Sequence, residues 1–133
     1  MTESPCLVVR GIVFRMAERE TNPNFLNGVP ELLILRLLDE AEMYGYEIVQ
    51  AIRSRTGEVI KAGEGVVYPV LHGLERQEAV RSKRRTVNGR SRVYYSLTPA
   101  GRRRLEEMSG AWMRVANAVH GVLAGGRDAE AVS

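Results

Sequence analysis

The sequence predicts a mainly α fold with a small β-hairpin wing: a winged helix-turn-helix followed by a long C-terminal dimerisation helix. Three observations lead there. Three helix-like apolar segments follow one another from Pro30 to about Ala79. Next come VRSKRRTV and RSRVYYSL, two runs rich in Val, Tyr and Thr that flank Asn88-Gly89. That dipeptide marks a two-residue hairpin turn, because both of its positions need positive φ. Finally Thr98-Pro99 supplies an N-cap and a proline at the first helical position, opening a helix that runs to about Ala124. A chain of 133 residues has room for one such domain.

Each element has a local reason. Residues 1–25 end in the turn-rich TNPN and read as an arm outside the domain, with Met16 as an alternative start. The winged domain is expected over 26–97, the dimerisation helix over 98–126 and a disordered tail over 127–133. In the first helix Pro30 precedes ELLILRLLDEAE, apolar almost all round and hence central. The second, YGYEIVQAIRSRTG, places Ile48, Val49 and Ile52 on one face and offers Gly57 as its terminator. The third carries Val67, Leu71 and Leu74 on one face. Its Pro69 belongs in a first turn, so this helix is expected to begin late, near Gly65, or to open irregularly. In the last helix Leu105, Met108, Trp112, Val115, Val119 and Val122 recur at alternating spacings of three and four, a heptad seam suited to a second copy of the chain or to docking on the core.

The net charge of +3 conceals a strong asymmetry. Between Ala79 and Arg104 stand nine basic residues and no acid, so the segment carries +9 against −6 for the rest of the chain. A concentrated positive field attracts polyanions. This opposes the main alternative, a winged helix used only for protein contact. One cysteine, Cys6, excludes an internal disulfide and fits a reducing cytoplasm. The apolar run CLVVRGIVF is too short and too interrupted to span a bilayer. No G-x-S-x-G, P-loop or HExxH is present, and the two histidines are isolated, so no enzyme, metal or cofactor is indicated.

A two-residue turn sets Val87 opposite Arg90 and carries the pairing back to Val80 opposite Leu97. Alternation then divides the side chains. One face collects Val80, Ser82, Arg84, Thr86, Ser91, Val93, Tyr95 and Leu97 and can pack inward. The other gathers Arg81, Lys83, Arg85, Arg90, Arg92 and Tyr94. It places Arg85 opposite Arg92, which is unfavourable unless an anion lies between them. A DNA phosphate would serve, and Arg90 at the tip could enter the minor groove. The third helix would face the major groove with a short polar list, Glu64, Tyr68, His72, Arg76 and Gln77. Arg76 and Gln77 suit base edges, Tyr68 better suits a contact to the DNA backbone or the filling of the helix junction, and His72 is equally an ordinary surface residue.

These residues carry a family resemblance. ELLILRLL followed by YGYEI, then G-x-x-Y-P-x-L at Gly65 to Leu71 leading to Leu74-Glu75, then YYSLTPAG at Tyr94 to Gly101, together resemble the PadR family of bacterial and archaeal transcriptional regulators from Phe25 to about Gly126. The resemblance implies a homodimeric repressor that binds operator DNA and releases it when a small-molecule effector binds. The chain departs from the family pattern at Val66, Gly73 and Glu78-Ala79. Its single short C-terminal helix is similar to the subfamily of multidrug-sensing repressors, in which a tryptophan of that helix stacks on planar drugs at the dimer interface. Trp112 falls at the matching place, with Met108, Met113 and Met16 as candidate pocket neighbours. The competing use of Trp112 is as a packing anchor of the dimer core.

Overall fold

The computed structural model describes residues 7–9, 11–13 and 28–132. Cys6, Met16 and most of the N-terminal arm lie outside them. Within the arm, β1 (Leu7–Val9) and β2 (Gly11–Val13) pair antiparallel, Leu7 opposite Val13. This is local order where only an arm was expected. From Gly28 the order is α1 (Val29–Glu40), β3 (Met43–Tyr44), α2 (Gly45–Arg55), α3 (Glu64–Arg76), β4 (Val80–Val87), β5 (Arg90–Leu97) and α4 (Pro99–Val132). The winged helix-turn-helix is present.

The core forms where the apolar faces of the first three helices meet the base of the hairpin. Ile34, Leu35, Ile48, Ile52, Val67, Leu71 and Leu74 are fully buried there, closed by Val80, Tyr95 and Leu105. Helix α2 starts with the Glu47 carboxylate accepting the Tyr44 backbone N–H at 3.0 Å. It ends before Gly57, which takes a φ of 61°. The connection to α3 turns on one hydroxyl. Thr56 Oγ1 donates to the Ile52 carbonyl at 2.7 Å and accepts the Ile60 N–H at 3.1 Å. At the outer end of α1 and α2, Arg55 donates to the Glu40 carboxylate, whose pKa lies below the usual carboxylate range mainly because of that hydrogen bond.

Helix α3 does begin beside Gly65, but Pro69 sits inside it, in the second turn. The proline removes one hydrogen bond, and the carbonyl it leaves unpaired belongs to exposed Gly65, where water can reach it. At the other end of α3, Glu78 adopts a φ of 63° and the Ala79 N–H closes back on the Leu74 carbonyl at 2.8 Å. The chain then enters β4 at once.

The hairpin has the register that alternation demands. Val80 pairs with Leu97, Arg85 with Arg92 and Val87 with Arg90, around a turn whose Asn88 and Gly89 have φ of 53° and 78°. The third strand, β3, is an addition. Met43 and Tyr44 pair with Tyr95 and Tyr94, giving the order β3-β5-β4. A strand of two residues has no period of its own to read.

Thr98 fastens the hairpin to the last helix. Buried, it donates from Oγ1 to the Glu78 and Ala79 carbonyls, at 2.7 and 3.0 Å, and accepts the Gly101 N–H at 3.0 Å. Helix α4 then lies along α1, with Leu105 buried and Met108 half-buried against the core. These two residues were expected in a dimer seam, and the first turns of the seam instead serve the chain's own core. The expected end near Ala124 coincides with a break at Gly125, φ 80°. Beyond it, helix continues to Val132 where a disordered tail was expected. The sequence AEA favours helix once the two glycines are passed. Among the described residues no helix is long and apolar enough to cross a membrane.

Candidate nucleic-acid interface

Two surfaces converge on one side of the domain. With Val67, Leu71 and Leu74 turned to the core, α3 leaves Val66, Pro69, His72 and Arg76 exposed, with Gly65 and Gly73 between them. The distal half of the hairpin projects beside this face. Arg84 and Ser91 line one cleft with Tyr68 and His72.

Arg84 is the residue that alternation misplaced. It lies on the inward face of β4, as expected, yet it is exposed and donates to Ser91 Oγ at 3.1 Å. The core ends before the strand does. Inward-facing positions near the hairpin base, Val80 and Tyr95, are buried, while Arg84 and Thr86 extend past the core and are exposed, Arg84 beside α3. The length of the strand relative to three short helices is the signal that could have found it.

On the outer face of the sheet, Arg85 and Arg92 do stand opposite one another, and the chain itself resolves the conflict. Glu42 accepts a hydrogen bond from Arg85 Nη1 at 2.5 Å. The Arg85 guanidinium also lies 4.7 Å from the Tyr94 ring centre, and that of Arg92 lies 4.3 Å from Tyr44. The two rings meet edge to face at 5.4 Å. The anion expected here was a DNA phosphate, but Glu42 and two aromatic faces already compensate the pair. Glu42 was out of sight in the sequence because it lies 43 residues from Arg85.

The same bookkeeping applies along the basic run. Arg102 pairs with Asp39 and Arg104 with Glu31, which ties α4 to α1. Among the described residues, Arg81, Lys83, Arg84, Arg90, Arg92 and Arg103 have no carboxylate within salt-bridge distance, and of these Arg81, Lys83, Arg84 and Arg90 are exposed on the hairpin. The uncompensated charge is thus concentrated on the wing rather than spread over the segment.

Tyr68 fills the helix junction. A Cβ at position 45 would fall 2.3 Å from its hydroxyl, so Gly45 is the space into which the ring packs. Tyr68 remains half-buried at the cleft, its ring centre 6.2 Å from that of His72, which is exposed. Below them, burial first, and then the nearness of Glu75 and Tyr68, raise the pKa of the Tyr95 hydroxyl and keep it neutral.

On α4 the remainder of the seam is bare. Trp112 is 45% exposed, Val115 56%, Val119 51% and Val122 80%. Met113 is exposed beside Trp112, whereas Met108 is turned toward the core.

Known proteins share this architecture. Residues 34–107 match the transcriptional regulator PadR-like family. A transcriptional regulator of Mycobacterium tuberculosis is 36% identical over 97 residues, which span 73% of this chain and 88% of that protein. The crystal structure of a PadR-like transcriptional regulator from Bacillus cereus is similar with a TM-score of 0.68 at 29% identity, covering 77% of this chain and 98% of that one. A transcriptional regulator from Clostridium thermocellum gives the same TM-score at 28% identity, over 73% and 95% of the two chains. With the matched region running from the middle of α1 through α2, α3 and the whole wing to the start of α4, the chain belongs to the PadR-like family of transcriptional regulators.

Proposed function

We propose that this regulator is a homodimeric repressor that binds operator DNA through α3 and the wing and is released by a planar small molecule. The observation that carries the reading is the set of exposed hairpin cations that have no carboxylate partner among the described residues, of which Arg84 lines a cleft with His72 of α3. Such a surface neutralises phosphates, and α3 beside it has the form of a major-groove reading helix. Arg81, Lys83, Arg84 and Arg90 make the backbone contacts, His72 and Arg76 face base edges, and Tyr68 holds α3 against α2. Arg85 and Arg92 support the wing and reach phosphate only at the expense of Glu42 and the tyrosine faces. Titration of the chain's own promoter duplex at several salt concentrations tests this. The expected result is a log–log slope of about −0.9 per phosphate contact. A flat salt response would sink the DNA-binding reading.

The bare seam supports dimerisation. Trp112, Val115, Val119 and Val122 form one apolar stripe on a helix whose own domain covers its first turns, from Gly101 to Met108. Sedimentation should show a dimer at micromolar concentration and a monomer for Val119→Glu, which also loses DNA affinity because two half-sites no longer act together. A wild-type monomer would refute the stripe as an interface. In the dimer Trp112 is the stacking surface for the effector. As the sole tryptophan, its emission reports the binding of planar cationic or phenolic compounds directly.

A further inference from the structure

The exposed face of α3 is unusual for a reading helix in how little it can hydrogen-bond. Of the residues turned directly away from the core, Val66 and Pro69 are apolar, Gly65 and Gly73 have no side chain, and His72 and Arg76 carry polar groups. The exposed carboxylates Glu64 and Glu75 lie on the flank shared with Val67 and Leu71, where Glu75 accepts from Ser82 Oγ. Val66 is 43% exposed although it stands one position from fully buried Val67. Pro69 lies three residues further on, hence on the same side of the helix. The glycines leave the flanks open. A Cβ at position 65 would meet nothing within 4 Å, and at position 73 only the Arg76 guanidinium at 3.7 Å.

We propose that Val66, backed by Pro69, is a specificity-determining residue that reads thymine in the operator through its 5-methyl group. The inference rests on the DNA-binding reading above and adds to it the kind of base that is recognised. The wing cations, with Arg84 in the same cleft as His72, draw a polyanion against this face. In the major groove the thymine methyl is the apolar group displayed among hydrogen-bonding edges. A valine placed there gains by covering a methyl. Opposite any other base edge it leaves donors and acceptors stripped of water and unpaired. The open flanks at Gly65 and Gly73 allow the helix backbone close to the bases, which a short side chain such as Val66 requires in order to reach them.

The test uses the full chain and duplexes selected by it from a random-sequence library. In the most enriched duplex each thymine is replaced in turn by deoxyuridine, which keeps every hydrogen-bonding group and removes only the methyl. At one or two thymines per half-site this should weaken binding about fourfold, the worth of one buried methyl. Val66→Ser should bind the parent duplex more weakly by a similar factor and be indifferent to uracil at those positions. Val66 is exposed, so the variant should melt as the wild type does. It should also bind a scrambled duplex with unchanged affinity and salt slope. Steep salt-dependent binding that is insensitive to uracil at every position overturns the thymine assignment alone. A uracil effect that persists in Val66→Ser assigns the methyl to another residue and overturns the role of Val66. No salt-dependent binding to any duplex overturns the DNA-binding reading, and this inference with it.

Discussion

Replacing Gly101 with alanine is expected to cost about 3 kcal/mol, near the upper end of what overpacking produces. A Cβ at this position would lie 2.1 Å from the Ala79 carbonyl oxygen and 2.7 Å from Leu97 Cδ1. The first neighbour is backbone and cannot swing aside. It is also fixed, because the Ala79 carbonyl accepts from both the N–H and the hydroxyl of Thr98. Relief would require α4 to lift from the hairpin base, which would strip the N-cap and loosen Leu105 in the core. At fixed protein concentration the midpoint of thermal unfolding should fall by roughly 10 °C or more. Gly110→Ala in the same helix is the control. There the new Cβ meets only the Arg114 side chain at an ordinary 3.6 Å, and the substitution should stabilise by up to about 1 kcal/mol. A Gly101→Ala protein as stable as wild type, or stabilised as Gly110→Ala is, would show that α4 does not lock onto the Ala79 carbonyl.

The second large effect concerns the wing. Arg84→Ala together with Arg90→Ala should weaken DNA binding on the order of a hundredfold at moderate salt, at roughly one charge-assisted hydrogen bond lost per residue. The slope of log K against log salt should flatten by about 1.8. Arg85→Ala should cost much less, because Glu42 already occupies that guanidinium. Glu42→Gln provides the complementary arm. It frees Arg85 for phosphate, so affinity should rise and the slope steepen by up to about 0.9. An Arg85→Ala variant as impaired as the double variant would mean that phosphate displaces Glu42 on binding.

Both predictions depend on the same property of the hairpin, whose base belongs to the core while its tip overhangs it. Asn88-Gly89 and the alternation of the two strands were enough to give the register, including Arg85 opposite Arg92, because a two-residue turn leaves no freedom in pairing. They could not give the fate of each face. Ser82 and Tyr95 share a face with Arg84, yet the helices cover the first two and stop short of the third. Charge behaved in the same way. The acid-free run from Ala79 to Arg104 was legible as a segment, but Glu31, Asp39 and Glu42, which answer Arg104, Arg102 and Arg85, come from α1 and the turn after it. Proximity in space, not in sequence, decided which cations remain available.

By itself the sequence determined the fold class, the order of the helices, the hairpin register and the start of α4, since periodicity, capping and turn chemistry are local and act before any tertiary contact forms. Only the tertiary structure decided that Met43 and Tyr44 become a third strand, that Pro69 is tolerated within α3, that Leu105 and Met108 leave the seam for the core, and that Arg84 rather than Arg85 faces outward beside α3. Those outcomes depend on where one element ends relative to another. Burial, strand addition and ion pairing are settled between residues brought together from distant parts of the chain, and no window of sequence contains both partners.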